Sequence, residues 1–330
     1  MKTDRESPNL ISQNVVIVGG GPAGLATALM LAKRGWETIT VLEKRASADY
    51  YEPDKSFSYQ IDGRGQKLTD DLGLTEALAN VSVPSTDFYI TRIQADGQRK
   101  TSKLPIVDSN RKTAYWLPRK TFLFLLYQEI QKNWSDKITV LFHTSCVAID
   151  KIASNDEKPE RLEVVTQDDN GNIAKLEPSL LVGCDGLNSI VRKTLDKWDE
   201  TGSGKFQMKC YPSPSSGLRY KVLTLRSSFP LDRNGEEKSV SDMAYAIRGK
   251  FRDRKRFFSL GVLPVKNPNE PRTANIIAKP NHKIWELNNS EEVYNFLQES
   301  FPQLAIDEIV SPDEVARFAA SEGGRFPDPP

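Results

Sequence analysis

The sequence predicts an α/β protein in which a parallel-sheet, nucleotide-binding type of domain is interleaved with an α+β domain carrying an antiparallel sheet. Three observations predict it. Val15 to Val18 is a β-branched run suited to a strand buried on both faces. It leads into Gly19, Gly21 and Gly24 in the spacing G-x-G-x-x-G, followed by a helical pattern and a second strand. Beyond Lys197 the texture changes to strand-like segments separated by turns, without intervening helices.

Each glycine of the first motif has a physical task. Gly19 allows the tight turn off the strand, Gly21 lets backbone amides approach a pyrophosphate, and Gly24 lets the helix pack closely on the sheet. An anion would sit at the helix N-terminus, where unpaired N–H groups and the dipole favour negative charge. Leu25, Ala28, Leu29 and Ala32 form the apolar face of that helix and Gly35 ends it. A strand from Thr38 to Leu42 then delivers Glu43, which lies 24 residues after Gly19, close to the spacing at which a carboxylate accepts from an adenosine ribose.

At 330 residues the chain is long enough for two domains, and 45 basic against 44 acidic residues give no bulk electrostatic reason to expect nucleic acid. Cys146, Cys184 and Cys210 are far apart and fit reduced thiols better than disulfides, and no spacing suggests a metal site. Met1 to Ser12 is polar with no apolar segment of signal type, and no apolar run is long enough to span a membrane, so a cytoplasmic location is expected. His143 and His282 are the only histidines, and each is expected to be a surface or structural residue.

The remaining elements follow in order. Ala46 to Tyr59 reads as a long loop, Gly65 to Leu74 as a helix, and Phe88 to Gln94 as a strand turning at Asp96-Gly97 into a partner near Thr101 to Val107. Arg119 to Trp134 reads as a helix. Ile138 to Phe142 and Cys146 to Ile149 read as strands. Leu162 to Thr166 and Ile173 to Leu176 flank a hairpin in which Asn170-Gly171 would take positive φ at both central positions. Leu180 to Gly183 returns to the main sheet and runs into Cys184-Asp185-Gly186, with Asn188 or Ser189 capping the next helix. Arg219 to Leu225, Met243 to Ile247 and Arg256 to Leu263 are expected strands of the second domain. The basic stretch Ile247 to Phe258 reads as a solvated face rather than an anion site. Asn289 and Glu292 have capping-box spacing for a helix over Glu291 to Leu297, and Ser321 to Pro330 reads as a loop.

A carboxylate after a parallel strand, as at Asp185, stands where open α/β sheets bind ligands, although such a residue is more often a turn or cap. Together the two motifs resemble the FAD-dependent aromatic-hydroxylase group typified by p-hydroxybenzoate hydroxylase, and within it most closely kynurenine 3-monooxygenase-like proteins. The resemblance rests on residues 16–25, 42–45, 63–65, 117–123, 182–192 and 296–302. It implies a Rossmann-like FAD-binding domain over residues 1–80 and 110–200, with a substrate domain over 81–109 and 201–330 that is incomplete at its C-terminal end. It further implies that Gly19, Gly21 and Gly24 face the FAD pyrophosphate, that Glu43 holds the ribose with Lys44 and Arg45 close by, that Arg119 touches the flavin side, and that Asp185 lies near the cofactor and the route of NAD(P)H. In such enzymes NAD(P)H is a transient reductant, O2 the oxidant, and a small, aromatic molecule the substrate. The cofactor carries the difficult chemistry, so no catalytic side chain is assigned.

Two departures qualify the resemblance. Phe88 and Val107 fall where kynurenine 3-monooxygenases carry an arginine and a tyrosine for the amino-acid head group, so a different, less anionic ligand is expected. The family's third motif, built around Gly-Asp, has no counterpart, because no Gly-Asp dipeptide occurs in the chain. The expected protein is therefore an FAD-dependent monooxygenase, whole or truncated. The alternatives are a silent FAD-binding relative acting as a binding module, a plain NAD(P)-dependent dehydrogenase and a flavin-dependent reductase. Oligomeric state is open.

Overall fold

The computed structural model describes residues 14–52, 57–85, 89–103, 113–153, 160–209, 211, 214–215 and 217–326. The chain divides into two compact units, residues 1–50 with 122–208 and residues 51–121 with 209–330.

The first unit is built on a four-stranded parallel sheet in the order Leu180–Gly183, Asn14–Val18, Thr38–Leu42, Ile138–Leu141. Val15 to Val18 are buried on both faces, as their uninterrupted apolar run requires. The glycine motif opens the helix Pro22–Lys33, whose proline sits in the first turn, where its missing N–H is no loss. Leu25, Ala28, Leu29 and Ala32 are buried. Gly35 terminates the helix at φ +93°, donating to the Ala32 carbonyl at 3.0 Å. A three-stranded antiparallel sheet, Thr144–Ile152, Arg161–Asp168 and Ile173–Leu176, forms the expected excursion before the chain rejoins the main sheet. Its turn differs from the expectation. Only Gly171 has positive φ, +83°, while Asp168 Oδ1 accepts from the N–H groups of Asn170 and Asn172. The aspartate supplies the turn closure that a second left-handed residue would otherwise have supplied.

The second unit holds a seven-stranded sheet in the order Gly324–Arg325, Arg219–Leu225, Arg272–Ala278, Ser259–Val262, Ala244–Arg248, Tyr89–Ile93, Arg99–Lys103. It is mixed rather than wholly antiparallel, because Ala244–Arg248 pairs in parallel with Tyr89–Ile93. The hairpin across Asp96-Gly97 is thus added to the edge of a sheet whose other strands lie over a hundred residues later. Helices Ser290–Ser300, Ile306–Ile309 and Pro312–Ala320 bury Val293, Phe296, Leu297, Ile306, Ile309, Val315 and Phe318 in one core with Leu223, Leu225, Leu260, Ala274 and Ile276 of the sheet. A smaller three-stranded sheet, in the order Ser58–Ile61, Tyr115–Pro118, Val83–Pro84, completes the unit.

Several boundaries correct the sequence reading. The loop expected through Tyr59 gives way to a strand at Ser58, since Tyr59 pairs across to Leu117. The helix expected from Gly65 starts at Gly63, because Asp62 caps it by accepting from the N–H groups of Arg64 and Gly65. A second helix, Thr75–Val81, follows. Phe88 and the residues 104–112, Val107 among them, lie outside the described residues. In the basic stretch, Arg256 pairs with Asp253 at 2.9 Å and lies over the Phe251 ring at 4.1 Å, and Lys250 pairs with Glu299 at 3.7 Å.

Candidate active site

The glycine turn after Asn14–Val18 is wedged between the ends of two neighbouring parallel strands. Gly19 takes φ +102°, and a Cβ there would lie 2.5 Å from the Cys184 carbonyl oxygen and 2.9 Å from the Asp185 Cα. On the other side a Cβ on Gly20 would lie 2.8 Å from the Glu43 Cβ. Gly24 is closer still, since its Cβ would fall 1.8 Å from the Gly19 carbonyl oxygen. Helix and turn therefore touch backbone to backbone, which only glycine permits. Gly21 is different in kind. Its φ of −71° and ψ of −177° suit any residue, and a Cβ there would meet nothing within 4 Å.

Gly21 is also the N-cap of Pro22–Lys33, and no side chain caps that helix. An uncapped helix start leaves backbone N–H donors seeking an acceptor, beside the positive end of the dipole. The space next to Gly21 is thus open, donor-rich and suited to an anionic group.

Glu43 stands at the end of Thr38–Leu42 and is only 5% exposed. Its Oε2 accepts from Gly20 N at 2.9 Å, and its Oε1 accepts from Arg45 N at 2.9 Å and Arg45 Nη1 at 3.2 Å. Three of roughly four carboxylate lone-pair positions are used, which leaves capacity on Oε2. Lys44, between them, is exposed. Asp185 Oδ2 accepts from Ile190 N at 2.6 Å, helping Ser189 cap the helix Ile190–Lys197. Its other oxygen, Oδ1, is buried without a hydrogen-bond partner. Leaving such an acceptor unmet costs about 1–3 kcal/mol, so the site calls for a donor from outside the protein.

Burial, and next the negative charge of Asp185, push the Cys146 thiol up to about 11. Burial also raises the Cys184 thiol, opposed by its contact with Thr27. Both cysteines are free and stay protonated at neutral pH, which removes them as nucleophiles; Cys210 lies outside the described residues. Among the described residues no cluster of three or more potential ligands could hold a metal, and no helix is long and apolar enough to cross a membrane.

The structure thus gathers Gly19, Gly21, Gly24, Glu43, Arg45 and Asp185 around one turn. Arg119 belongs to the second unit, where its N–H donates to the Phe57 carbonyl at 3.0 Å and its side chain bonds to the Tyr59 hydroxyl. Burial raises the Tyr59 hydroxyl above its ordinary range, against the lowering charge of Arg119. Gly20 was not singled out by the spacing, yet it ties the turn to Glu43. Its signal was the unbroken run of three glycines, of which the motif needs only two.

Comparison with known proteins agrees with this geometry. Over 210 residues the chain is 28% identical to the kynurenine 3-monooxygenase of Dictyostelium discoideum, covering 62% of this chain and 42% of that protein. It is 29% identical over 197 residues to an FAD-dependent monooxygenase of Emericella nidulans, covering 55% of this chain and 30% of that protein. The match therefore spans less than half the length of either relative. Its fold is similar to that of aklavinone-11 hydroxylase, solved in a ternary complex with FAD and aklavinone, at a TM-score of 0.61 and 16% identity over 91% of this chain and 52% of that one. With residues 12–221 matching it, the chain belongs to the FAD binding domain family.

Proposed function

We propose that this chain is the FAD- and substrate-binding part of a monooxygenase that uses NAD(P)H and O2 to hydroxylate a small aromatic or related apolar molecule. The net reaction is substrate-H + NAD(P)H + H+ + O2 giving substrate-OH + NAD(P)+ + H2O. Bound FAD supplies the redox and oxygen chemistry. The observation that carries this reading is the open, donor-rich space at Gly21, flanked by the buried Glu43 carboxylate and the buried Oδ1 of half-buried Asp185.

In this reading the amides at the start of Pro22–Lys33 hold the pyrophosphate, because Gly21 puts no side chain between them and the ligand. Glu43 offers its remaining acceptor position to the ribose hydroxyls, and the bonds from Gly20 and Arg45 fix its orientation. Lys44 and Arg45 add positive charge nearby. Asp185 Oδ1 accepts from a ligand hydroxyl or a bound water and so loses its desolvation penalty. We assign cofactor binding to the first compact unit and substrate binding to the second.

Gly21→Val tests the proposal. Backbone conformation and free space allow a valine, so folding is expected to be unchanged by circular dichroism and thermal melting. The new side chain would stand where the phosphates bind. After incubation with FAD and removal of the excess, wild type is expected to keep a flavin absorption spectrum and the variant to bind at least tenfold more weakly. Equal flavin content in both proteins, or none in wild type, would overturn the assignment.

A further inference from the structure

The loop that joins the strands Ala244–Arg248 and Ser259–Val262 in the second unit concentrates one sign of charge. Residues 248–256, with the neighbouring segment 279–286, hold eight basic side chains against Asp253 and Glu286. That is a formal +6 in a chain whose total is +1, so the remaining residues together carry −5. All eight basic side chains are exposed. The two segments meet, since Lys283 N donates to the Lys255 carbonyl at 2.8 Å.

Little nearby neutralises this charge. Asp253 is engaged inside the loop, where Oδ1 accepts from the N–H groups of Lys255 and Arg256 and Oδ2 accepts from Arg256 Nε at 2.9 Å. Glu299 and Glu286 hold Lys250 at 3.7 Å and Lys283 at 2.9 Å. Among the described residues Arg248, Arg252, Arg254 and Lys279 make no ion pair.

The loop is anchored to the core of its own unit. Phe251 stacks on Phe296 at 6.1 Å and Phe258 stacks on the same ring at 5.6 Å. Gly249 N donates to the Phe258 carbonyl at 3.1 Å and Lys250 N to the Ser300 carbonyl at 2.8 Å. The cations are thus carried on a fixed backbone, which lowers the ordering cost of using them together. No aromatic side chain of either segment is exposed, so the face lacks the aromatic anchors on which a protein interface depends. An anionic bilayer needs none, because its headgroups move laterally to match a fixed set of charges, and clusters of this size suffice to hold a protein on it.

We infer that this basic face docks the chain peripherally on an anionic lipid surface, with Arg252 and Arg254 among its principal contacts. The structure thereby gives an interaction role to a stretch that the sequence presents as a solvated face. The proposed apolar substrate enters only in the choice of lipid among anionic surfaces, since such a molecule partitions into a bilayer.

The test is sedimentation of the full chain with vesicles of phosphatidylcholine alone or with about 30% phosphatidylserine, at about 0.1 M and about 1 M salt, over which the screening length falls from about 10 Å to about 3 Å. Wild type is expected to favour the anionic vesicles about tenfold or more at the lower salt and to lose that preference at the higher. The double variant Arg252→Gln, Arg254→Gln is expected to bind them about tenfold or more weakly, each cation in reach of the surface counting for about fivefold. A control with the same loss of charge, Lys238→Gln with Lys266→Gln, replaces exposed lysines beyond the other ends of the two strands and is expected to change binding by less than about twofold. Equal binding to neutral and anionic vesicles, no binding to either, or a control that weakens binding as much as the loop variant would each overturn the inference. So would tighter binding to a short DNA duplex than to anionic vesicles at equal phosphate concentration, which would make the face a nucleic-acid site. Flavin content does not enter the readout, so either result leaves the cofactor assignment to its own test.

Discussion

The two units bury opposite charges. In the first, the charged groups withdrawn from water are acceptors: buried Glu43 takes N–H bonds from Gly20 and Arg45, and half-buried Asp185 takes one from Ile190. In the second they are donors. Arg272, 1% exposed, gives four hydrogen bonds to the carbonyls of Val240, Met243 and Leu263. Lys221, 3% exposed, donates to the Phe318 carbonyl in the last turn of Pro312–Ala320. The difference follows from which backbone groups each region leaves unpaired. Strand ends and helix starts converge in the first unit and offer N–H groups, whereas loops and a helix end converge in the second and offer carbonyls. A region with spare N–H donors favours an anion, and the first unit offers such donors at the uncapped start of Pro22–Lys33.

The strongest way to break that arrangement is Gly24→Ala. A single methyl group would sit 1.8 Å from the Gly19 carbonyl oxygen, a backbone atom that cannot turn aside. Helix and glycine turn must separate, and the donors they present must scatter. A loss of several kcal/mol is expected, about 3 or more by comparison with other overpacked sites. It should register as a large fall in melting temperature and rapid proteolysis of the first unit. Gly21→Val adds more atoms three residues earlier and is expected to cost stability nothing. A Gly24→Ala protein as stable as wild type would show that the turn is not held by this contact.

In the second unit the matching test is Arg272→Ala, set beside Arg272→Met. Burial draws the guanidinium down to about 10, opposed by Tyr245 and then Asp242, so it remains charged at neutral pH. Alanine orphans three carbonyls and leaves a cavity, which together cost about 3–5 kcal/mol. Methionine orphans the same carbonyls but fills the space, so its cost is expected to be smaller by about 1–2 kcal/mol. Denaturant melts of the three proteins measure both. Equal losses for the two variants would mean that the charge and its bonds, not the volume, carry the whole effect.

The same contrast explains how much of the molecule was legible in its sequence. The first unit is coded locally: strand, glycines, helix and Glu43 lie within thirty residues, and Ser189 caps its helix from three residues away. Asn289 caps Ser290–Ser300 for the same reason. The parallel pairing of Tyr89–Ile93 with Ala244–Arg248 has no local code, since it depends on which distant edge is free. Nor does the burial of Arg272, which reads as an ordinary surface arginine until three carbonyls close over it. The helix Pro312–Ala320 is a different case. Ser311 accepts from Glu314 N at 3.2 Å and Pro312 occupies the first turn, so a capping signal was present and went unread.

His282 sharpens the comparison by showing what limits it. It is 1% exposed in the unit that buries cations, yet its neighbours require it neutral. Nδ1 accepts from Ile284 N at 3.1 Å, so that nitrogen carries no proton, and Nε2 donates to the Phe257 carbonyl at 3.2 Å. Protonating Nδ1 would set two N–H groups against each other and charge a desolvated ring. Burial accordingly lowers its pKa from the ordinary 6.5, against the raising effects of the Phe257 and Arg256 backbone and of Asp253. Because the unfolded chain binds the proton more readily, the stabilisation is complete above pH 6.5. It is lost as pH falls below 6.5 toward the lowered folded value, at no more than about 1.4 kcal/mol per pH unit. His282→Asn keeps an acceptor for Ile284 N and removes the titration. It is expected to be less stable than wild type at pH 8, with the gap narrowing as pH drops through 6.5 in parallel denaturant melts. A gap that stays constant across that range would mean that the folded protein takes up the proton at His282 as readily as the unfolded chain does, and that burial there does not exclude the charge.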